Sequence, residues 1–189
     1  MTISPVASLM IRPFAGYERL AKVEGDDAPT VVGGILRLLF VIGGCVAFTA
    51  TGRLAPFELA SAMISFSYVP IIEAIAIAAV LRIFARPIPF RRAYALYLMG
   101  LGPWLLLFCA IPAVCLFVPS PSRALTGLVA AMWLADAWGI VLTCAWLKRG
   151  LGLSWKRTIG SMVVLYVVVH VIVLGYFLAA GQLRPILPW

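Results

Sequence analysis

The sequence predicts an all-α protein, a polytopic membrane protein with five transmembrane helices, its N-terminus inside and its C-terminus outside. Three observations predict this class. Hydrophobic residue types make up 63% of the 189 residues and charged types only 12%, whereas a soluble domain carries about a quarter charged residues. The apolar residues form five long runs, and most basic residues fall on one side of them. An ordinary soluble domain and a disordered chain are therefore both excluded.

Residues 1–30 are predicted to form a cytoplasmic amphipathic segment ahead of the spans. Apolar and charged side chains are interspersed from Pro5 to Lys22, which suits a short helix on the membrane surface, broken at Pro13. A flexible tail is the alternative. No signal peptide is expected, because acidic residues interrupt this region and it has no apolar core of sufficient length.

Each of the five apolar runs has the length of a membrane-spanning helix. A helix needs about 20 mainly apolar residues to cross the hydrocarbon layer. Continuous runs also differ from the alternating segments of about ten residues that build a membrane barrel. Together they form one predicted domain, residues 31–180. The predicted spans are Val31–Thr51, Leu59–Leu81, Ala93–Val118, Ala124–Leu147 and Gly160–Ala180.

The basic residues predict the orientation, because short loops rich in Lys and Arg remain cytoplasmic. Twelve of the 15 basic residues fall on the side of the N-terminus, and three, Arg53, Arg123 and Arg184, fall on the opposite side. The N-terminus is therefore predicted inside, and five spans place a short tail, residues 181–189, outside. The expected location is the bacterial inner (cytoplasmic) membrane.

Two basic loops between spans are predicted to contact anionic lipid head groups. The cations lie in short clusters at the membrane edge, so membrane lipids are the expected partners and nucleic acid is not. The predicted contacts are Arg82, Arg86, Arg91, Arg92, Lys148, Arg149, Lys156 and Arg157.

Aromatic residues indicate where the membrane interfaces lie. Tyr94, Tyr97, Trp146 and Trp155 fall near the predicted inner interface, where such rings are enriched. Trp104, Trp133 and Trp138 lie deeper within their spans and are predicted to pack between helices.

Three ionisable residues, Glu73, Asp136 and His170, fall near the middle of the second, fourth and fifth spans. A charge at this depth is costly, so each group is expected to face protein or water, or to be neutral. One interpretation is a proton relay or a site for an ion or a head group. The other is that the three groups are hydrogen-bonded to neighbouring helices and serve packing.

Arg37 lies one to two turns inside the first span. Its long side chain is predicted to extend back to the inner head groups. Pairing with a carboxylate on a neighbouring helix is the alternative.

The remaining residues that could carry chemistry predict neither a metal site nor a cofactor. All four cysteines, Cys45, Cys109, Cys115 and Cys144, fall within spans and are predicted to be buried small side chains. Nucleotide-binding loops, nucleophile elbows and zinc-protease motifs are absent from the sequence. We therefore do not expect an enzyme; an intramembrane enzyme that uses Glu73 and Asp136 is the least favoured interpretation.

Several segments resemble the bacterial branch of the Yip domain family, five-span membrane proteins related to Ypt/Rab-interacting proteins. The segment Arg12–Arg19 places a proline and two aromatic residues among charges before the first span. Ser67–Pro70 and Gly102–Trp104 are similar to aromatic and proline segments within the family's spans. The Asp-Leu-Tyr-Gly-Pro segment of eukaryotic members is missing, so the resemblance implies no link to a GTPase, and it carries over no functional residue.

The resemblance implies a non-catalytic membrane protein that acts in membrane organisation, lipid handling or complex assembly, alone, as a homo-oligomer or with a membrane-protein partner. The alternative is a proton- or ion-coupled transporter, or a transport subunit, that uses the acidic residues at mid-depth.

Overall fold

The computed structural model describes residues 5–22, 27–49, 56–84, 88–117 and 122–179. Within these ranges the regular elements are helices and no strand occurs, which confirms the all-α prediction. Arg53, Arg86, Arg184 and the predicted tail, residues 181–189, lie outside the described residues. The helices are α1 (Pro5–Ile11), α2 (Pro13–Lys22), α3 (Asp27–Thr49), α4 (Pro56–Phe84), α5 (Phe90–Leu98), α6 (Gly102–Phe117), α7 (Ser122–Ala145) and α8 (Trp155–Ala179).

Five long helical stretches correspond to the five predicted apolar runs. Helices α3, α4 and α8 cover the first, second and fifth runs. Helices α5 and α6 cover the third, and α7 with a following π-helical turn covers the fourth. Among the described residues, Phe90–Val114 and Ala130–Gly150 are long and apolar enough to cross a membrane, and Val31–Val46 is a shorter apolar stretch.

A short 3₁₀ turn, Met99–Leu101, separates α5 from α6. The cause is local, because Pro103 has no N–H to donate to the carbonyl of Met99. Gly100 and Gly102 lie in and beside this turn, so the surface of the broken helix carries no side chain at these two positions. They form what we call the glycine notch.

The larger core lies at the end of the bundle where α4 ends and α5 and α8 begin, which we call the basic end. The Trp146 ring is fully buried there, and Ile77, Leu142 and Leu165 from α4, α7 and α8 belong to the same core. A smaller core packs Phe40 of α3 against Phe108 of α6. Protein surrounds the Trp146 ring, and Ala93 O accepts its N–H at 3.1 Å, so this residue packs inside the bundle.

Large apolar side chains remain exposed on several helices. Leu106, Trp133 and Leu134 are each 73% exposed, and similar side chains on α3 and α8 are also uncovered. The prediction that three tryptophans pack between helices is therefore wrong for Trp133, and Trp138 is also exposed. Trp104, in contrast, is partly buried and packs beside Phe108. Contiguous apolar patches of this kind are rare on soluble monomers and mark surfaces that face lipid or another protein.

The N-terminal segment forms two helices, α1 and α2, that meet at Arg12 beside Pro13, which confirms the predicted break. Its apolar face packs on the bundle: Leu9 and Tyr17 are buried in the larger core. Protein rather than the membrane surface therefore covers this face, contrary to the prediction. We call α1 and α2 together the N-terminal hairpin.

Glycines fit the N-terminal hairpin to itself and to the bundle. A Cβ atom at Gly16 would lie 2.8 Å from Leu9 Cα, so α1 and α2 cross at near-contact distance. A Cβ atom at Gly100 would lie 2.8 Å from Tyr17 Oη, and one at Gly102 would lie 2.6 Å from Met10 Sδ. The glycine notch therefore receives Tyr17 and Met10. Burial raises the pKa of Tyr17 well above its ordinary value, so its hydroxyl stays protonated.

Candidate functional site

Helices α3 and α4 bring Arg37 and Glu73 together inside the bundle. Arg37 Nη1 lies 2.8 Å from Glu73 Oε2, and the two side chains are only 10% and 8% exposed. The prediction that Arg37 extends to the head groups is therefore wrong. The physical reason is that withdrawing the guanidinium would leave the Glu73 carboxylate buried without its counter-charge.

Tyr97 of α5 is the third member of the site. Its hydroxyl donates a hydrogen bond to Glu73 Oε1 at 3.3 Å. The Trp146 ring lies edge-on to the Tyr97 ring with 5.3 Å between centroids. Since the indole N–H of Trp146 is bonded to Ala93 O on the same helix as Tyr97, this contact fixes the ring that carries the hydroxyl.

Aromatic rings cover the guanidinium. The Arg37 Cζ atom lies 5.1 Å from the centroid of the Phe40 ring, which is a cation–π distance. Phe40 in turn packs against Phe108 at 5.1 Å. These surroundings lower the local dielectric constant, so the attraction between Arg37 and Glu73 is stronger than at a surface.

Asp136 lies apart from this site, on α7, and is partly buried. It interacts electrostatically with Tyr166 of α8, whose hydroxyl also forms a hydrogen bond with Thr143. Tyr166 also interacts electrostatically with Tyr97. His170 belongs to α8, but its side chain lies outside the described part of the structure.

Most predicted lipid-contact residues gather at the basic end. Arg82, Arg91, Arg149, Lys156 and Arg157 are exposed there, and Arg92 and Lys148 are partly buried. The partly buried pair makes internal bonds, from Arg92 Nη2 to Ala21 O at 2.7 Å and from Lys148 Nζ to Leu153 O at 3.0 Å. Arg92 therefore attaches the N-terminal hairpin to the bundle.

No cluster of three or more metal-binding side chains occurs among the described residues. Cys45 is buried and Cys144 is partly buried, whereas Cys109 is exposed, contrary to the prediction that all the cysteines are buried. The side chain of Cys115 is not among those described.

Sequence reasoning gave the pairing of Arg37 with a neighbouring carboxylate only as the alternative, and it missed the part played by Tyr97. One signal was present for the pairing. Arg37 is six residues from one end of its predicted span and Glu73 is eight residues from the same side of the next. At 1.5 Å per residue these depths differ by only about 3 Å.

No protein-family model, no curated protein and no solved structure matches this chain.

Proposed function

We propose that this chain is a non-catalytic integral membrane protein of the Yip-like type, with five spans, its N-terminus inside and its C-terminus outside. It acts in the organisation of the bacterial inner membrane, in lipid handling or in the assembly of a membrane complex. The observation that carries this proposal is the ion pair between Arg37 and Glu73, 2.8 Å apart and buried.

The ion pair bears on function because it neutralises the acidic group at mid-depth. A transport acid must gain and lose its ion during turnover, whereas Glu73 is compensated by a fixed guanidinium and a tyrosine hydroxyl. Removing one partner of such a pair costs about 3–5 kcal/mol. The arrangement therefore suits a fixed connection between α3, α4 and α5.

Two features support placement in a membrane with the basic end inside. The exposed cations Arg82, Arg91, Arg149 and Lys156 gather at one end of the bundle, which is the arrangement expected on the cytoplasmic side. Elsewhere, exposed apolar side chains offer a surface for lipid tails, a second copy or a membrane-protein partner. Lipids and such partners are the ligands that this surface suits.

The experiment compares wild type with Glu73→Gln in vesicles that enclose a pH-sensitive dye. We expect the same background proton flux from both proteins and a lower melting temperature for the variant in detergent. Matched vesicles without protein supply the background. A flux in wild type that Glu73→Gln abolishes, with insertion unchanged, would contradict the proposal.

A proton- or ion-coupled transporter remains the second candidate, and one observation favours it. Tyr97 and Tyr166 interact electrostatically with each other; the first is hydrogen-bonded to Glu73, and the second interacts electrostatically with Asp136. Ionisable residues inside a membrane domain are characteristic of proton relays, and the two tyrosines would connect Glu73 with Asp136 in such a relay. In the same vesicle assay, this candidate requires Asp136→Asn to reduce the flux without lowering the melting temperature.

A further inference from the structure

The Arg37 guanidinium has more N–H donors than its described neighbours satisfy. It carries five N–H groups. Its Nη1 atom makes a charge contact with Glu73, but none of its three nitrogens makes an aligned hydrogen bond to any residue that the structure describes. A buried donor without an acceptor is destabilising, and more so when it is charged. We therefore expect an acceptor from outside the chain at this position.

An opening on the surface of α3 lies beside this guanidinium. Gly34 precedes Arg37 by three residues, so the two positions are neighbours on the helix. Gly34 is exposed, and no described atom lies within 4 Å of the place where its Cβ would be. The adjacent Gly33, in contrast, packs against α5, where a Cβ would lie 3.3 Å from Ala95 O. The absent side chain of Gly34 therefore leaves open space on the surface of α3, one turn from the position of Arg37.

The walls of this opening suit a lipid better than a free anion. Ile35 and Leu38 flank it and are more than half exposed, so they offer an apolar surface for an acyl chain. A phospholipid brings its oxygen acceptors to this depth while its acyl chains are already in hydrocarbon. A free anion would have to lose its hydration in order to bind here.

The charge of the site determines what kind of acceptor fits. Because Glu73 already compensates Arg37, the pair has no net charge and requires oxygen lone pairs rather than a full negative charge. Phosphate oxygens and ester carbonyls both meet this requirement. Zwitterionic and anionic phospholipids therefore share the necessary chemistry.

We infer that the Arg37 guanidinium binds an oxygen acceptor of one phospholipid, seated on α3 in the opening at Gly34. This inference rests on the proposed membrane function and names the lipid-binding site within it. The lipid enters from the leaflet at the basic end, where Phe90 is exposed.

Native mass spectrometry of protein extracted from vesicles of phosphatidylethanolamine and phosphatidylglycerol tests the inference. We expect wild type to retain one lipid and Gly34→Leu to retain it with about tenfold lower occupancy, because the leucine side chain would fill the space at Gly34 that the lipid occupies. Gly175→Leu is the matched control, because Gly175 is also exposed with no described atom within 4 Å of its Cβ position. The control variant should retain the lipid as wild type does.

The double variant Arg37→Gln/Glu73→Gln separates the acceptor from the opening, since it removes the guanidinium without leaving a lone charge. We expect it to lose the lipid, and we expect millimolar inorganic phosphate not to displace the lipid from wild type. Wild type without retained lipid, displacement by phosphate, or equal retention by Gly34→Leu would overturn the inference. Melting temperatures show that the variants fold. If the proposed function is wrong, the vesicle assay with the pH-sensitive dye would instead show a proton flux in wild type that Glu73→Gln abolishes.

Discussion

Arg37 and Glu73 stabilise the bundle as a pair rather than as two separate residues. Each is buried among apolar side chains, and each supplies the charge that makes the burial of the other tolerable. Tyr97 adds a hydrogen bond to the carboxylate, and Phe40 covers the guanidinium. The stability of the site therefore depends on all four side chains. Replacing Arg37 or Glu73 alone should lower the free energy of unfolding by more than the net contribution of the ion pair.

A double-mutant cycle tests this coupling at the residue scale. We expect Glu73→Gln and Arg37→Gln each to lower the free energy of unfolding by about 3–5 kcal/mol, because each leaves an uncompensated charge. The double variant should be less destabilised than the sum by about 0.5–3 kcal/mol. The measurement is reversible unfolding in mixed detergent. Additive effects would contradict the account.

Tyr97→Phe removes only the hydroxyl that donates to Glu73 Oε1. We expect a loss of about 1.5–3 kcal/mol, the range for a hydrogen bond to a charged group, and a smaller loss than for Glu73→Gln. The same unfolding experiment measures it. An unchanged stability would show that the 3.3 Å contact contributes nothing.

The limits of sequence reasoning at this scale are visible in these residues. Glu73 stands out in the sequence because a carboxylate within an apolar run is rare. The position of Arg37 within its own predicted span also shows that it lies at a similar depth. The sequence could not show which side of α3 contacts α4, because the rotation of a helix about its axis depends on packing with all its neighbours. Tyr97 resembled an interfacial tyrosine, since sequence gives its depth and not its hydrogen bond.

At the scale of elements, the N-terminal hairpin is held to the bundle mainly by shape. Leu9 and Tyr17 are buried, and the near-contact of α1 with α2 at Gly16 sets the hairpin's geometry. Polar anchors are fewer, with Arg92 donating to Ala21 O at 2.7 Å and Arg149 lying 3.9 Å from the exposed Glu18. Packing should therefore matter more than these charges.

Gly16→Ala tests the close crossing of α1 and α2. Alanine raises helix propensity by about 1 kcal/mol, but its Cβ would meet Leu9 Cα at 2.8 Å, a backbone atom that cannot rotate away. Overpacking costs about 1–3 kcal/mol. We expect faster proteolysis of the hairpin in the variant, whereas Gly175→Ala, with open space around it, should be neutral or stabilising. Equal protection of Gly16→Ala and wild type would contradict the packing.

Glu18 provides a pH-dependent contribution to hairpin docking. A hydrogen bond from Lys22, the charge of Lys22 and the charge of Arg149 lower the pKa of Glu18 below 4.5. Since the folded state binds the proton less readily, this contribution is present above pH 4.5 and is lost as the pH falls through the lowered pKa. We expect the acid-induced increase in hydrogen exchange of α2 to be smaller in Glu18→Gln. An identical acid profile would contradict it.

The five helical runs could be predicted because composition averaged over about 20 residues is insensitive to local detail. The ends of these helices could not be predicted, because helices continue past their apolar stretch. Helix α4, for example, begins at Pro56 and ends at Phe84, beyond the predicted Leu59–Leu81 on both sides. The 3₁₀ turn before Gly102 was likewise missed, although Pro103 signals it. The docking of the hairpin depends on tertiary fit, which periodicity does not contain.

At the scale of the whole molecule, the account joins two asymmetries. Exposed cations occupy one end of the bundle, and exposed apolar side chains occupy the sides of its helices. The placement that we propose, with hydrocarbon around the sides and the cytoplasmic leaflet at the basic end, would account for both asymmetries together. The proposed roles of the buried ion pair, the N-terminal hairpin and the lipid opening all depend on this placement.

Reporter fusions at both ends of the chain test this placement most directly. One reporter is active only in the cytoplasm and the other only outside it. We expect the cytoplasmic reporter to be active at the N-terminus and the external reporter to be active after Trp189. Activity of the same reporter at both ends would contradict five spans and the orientation of the basic end.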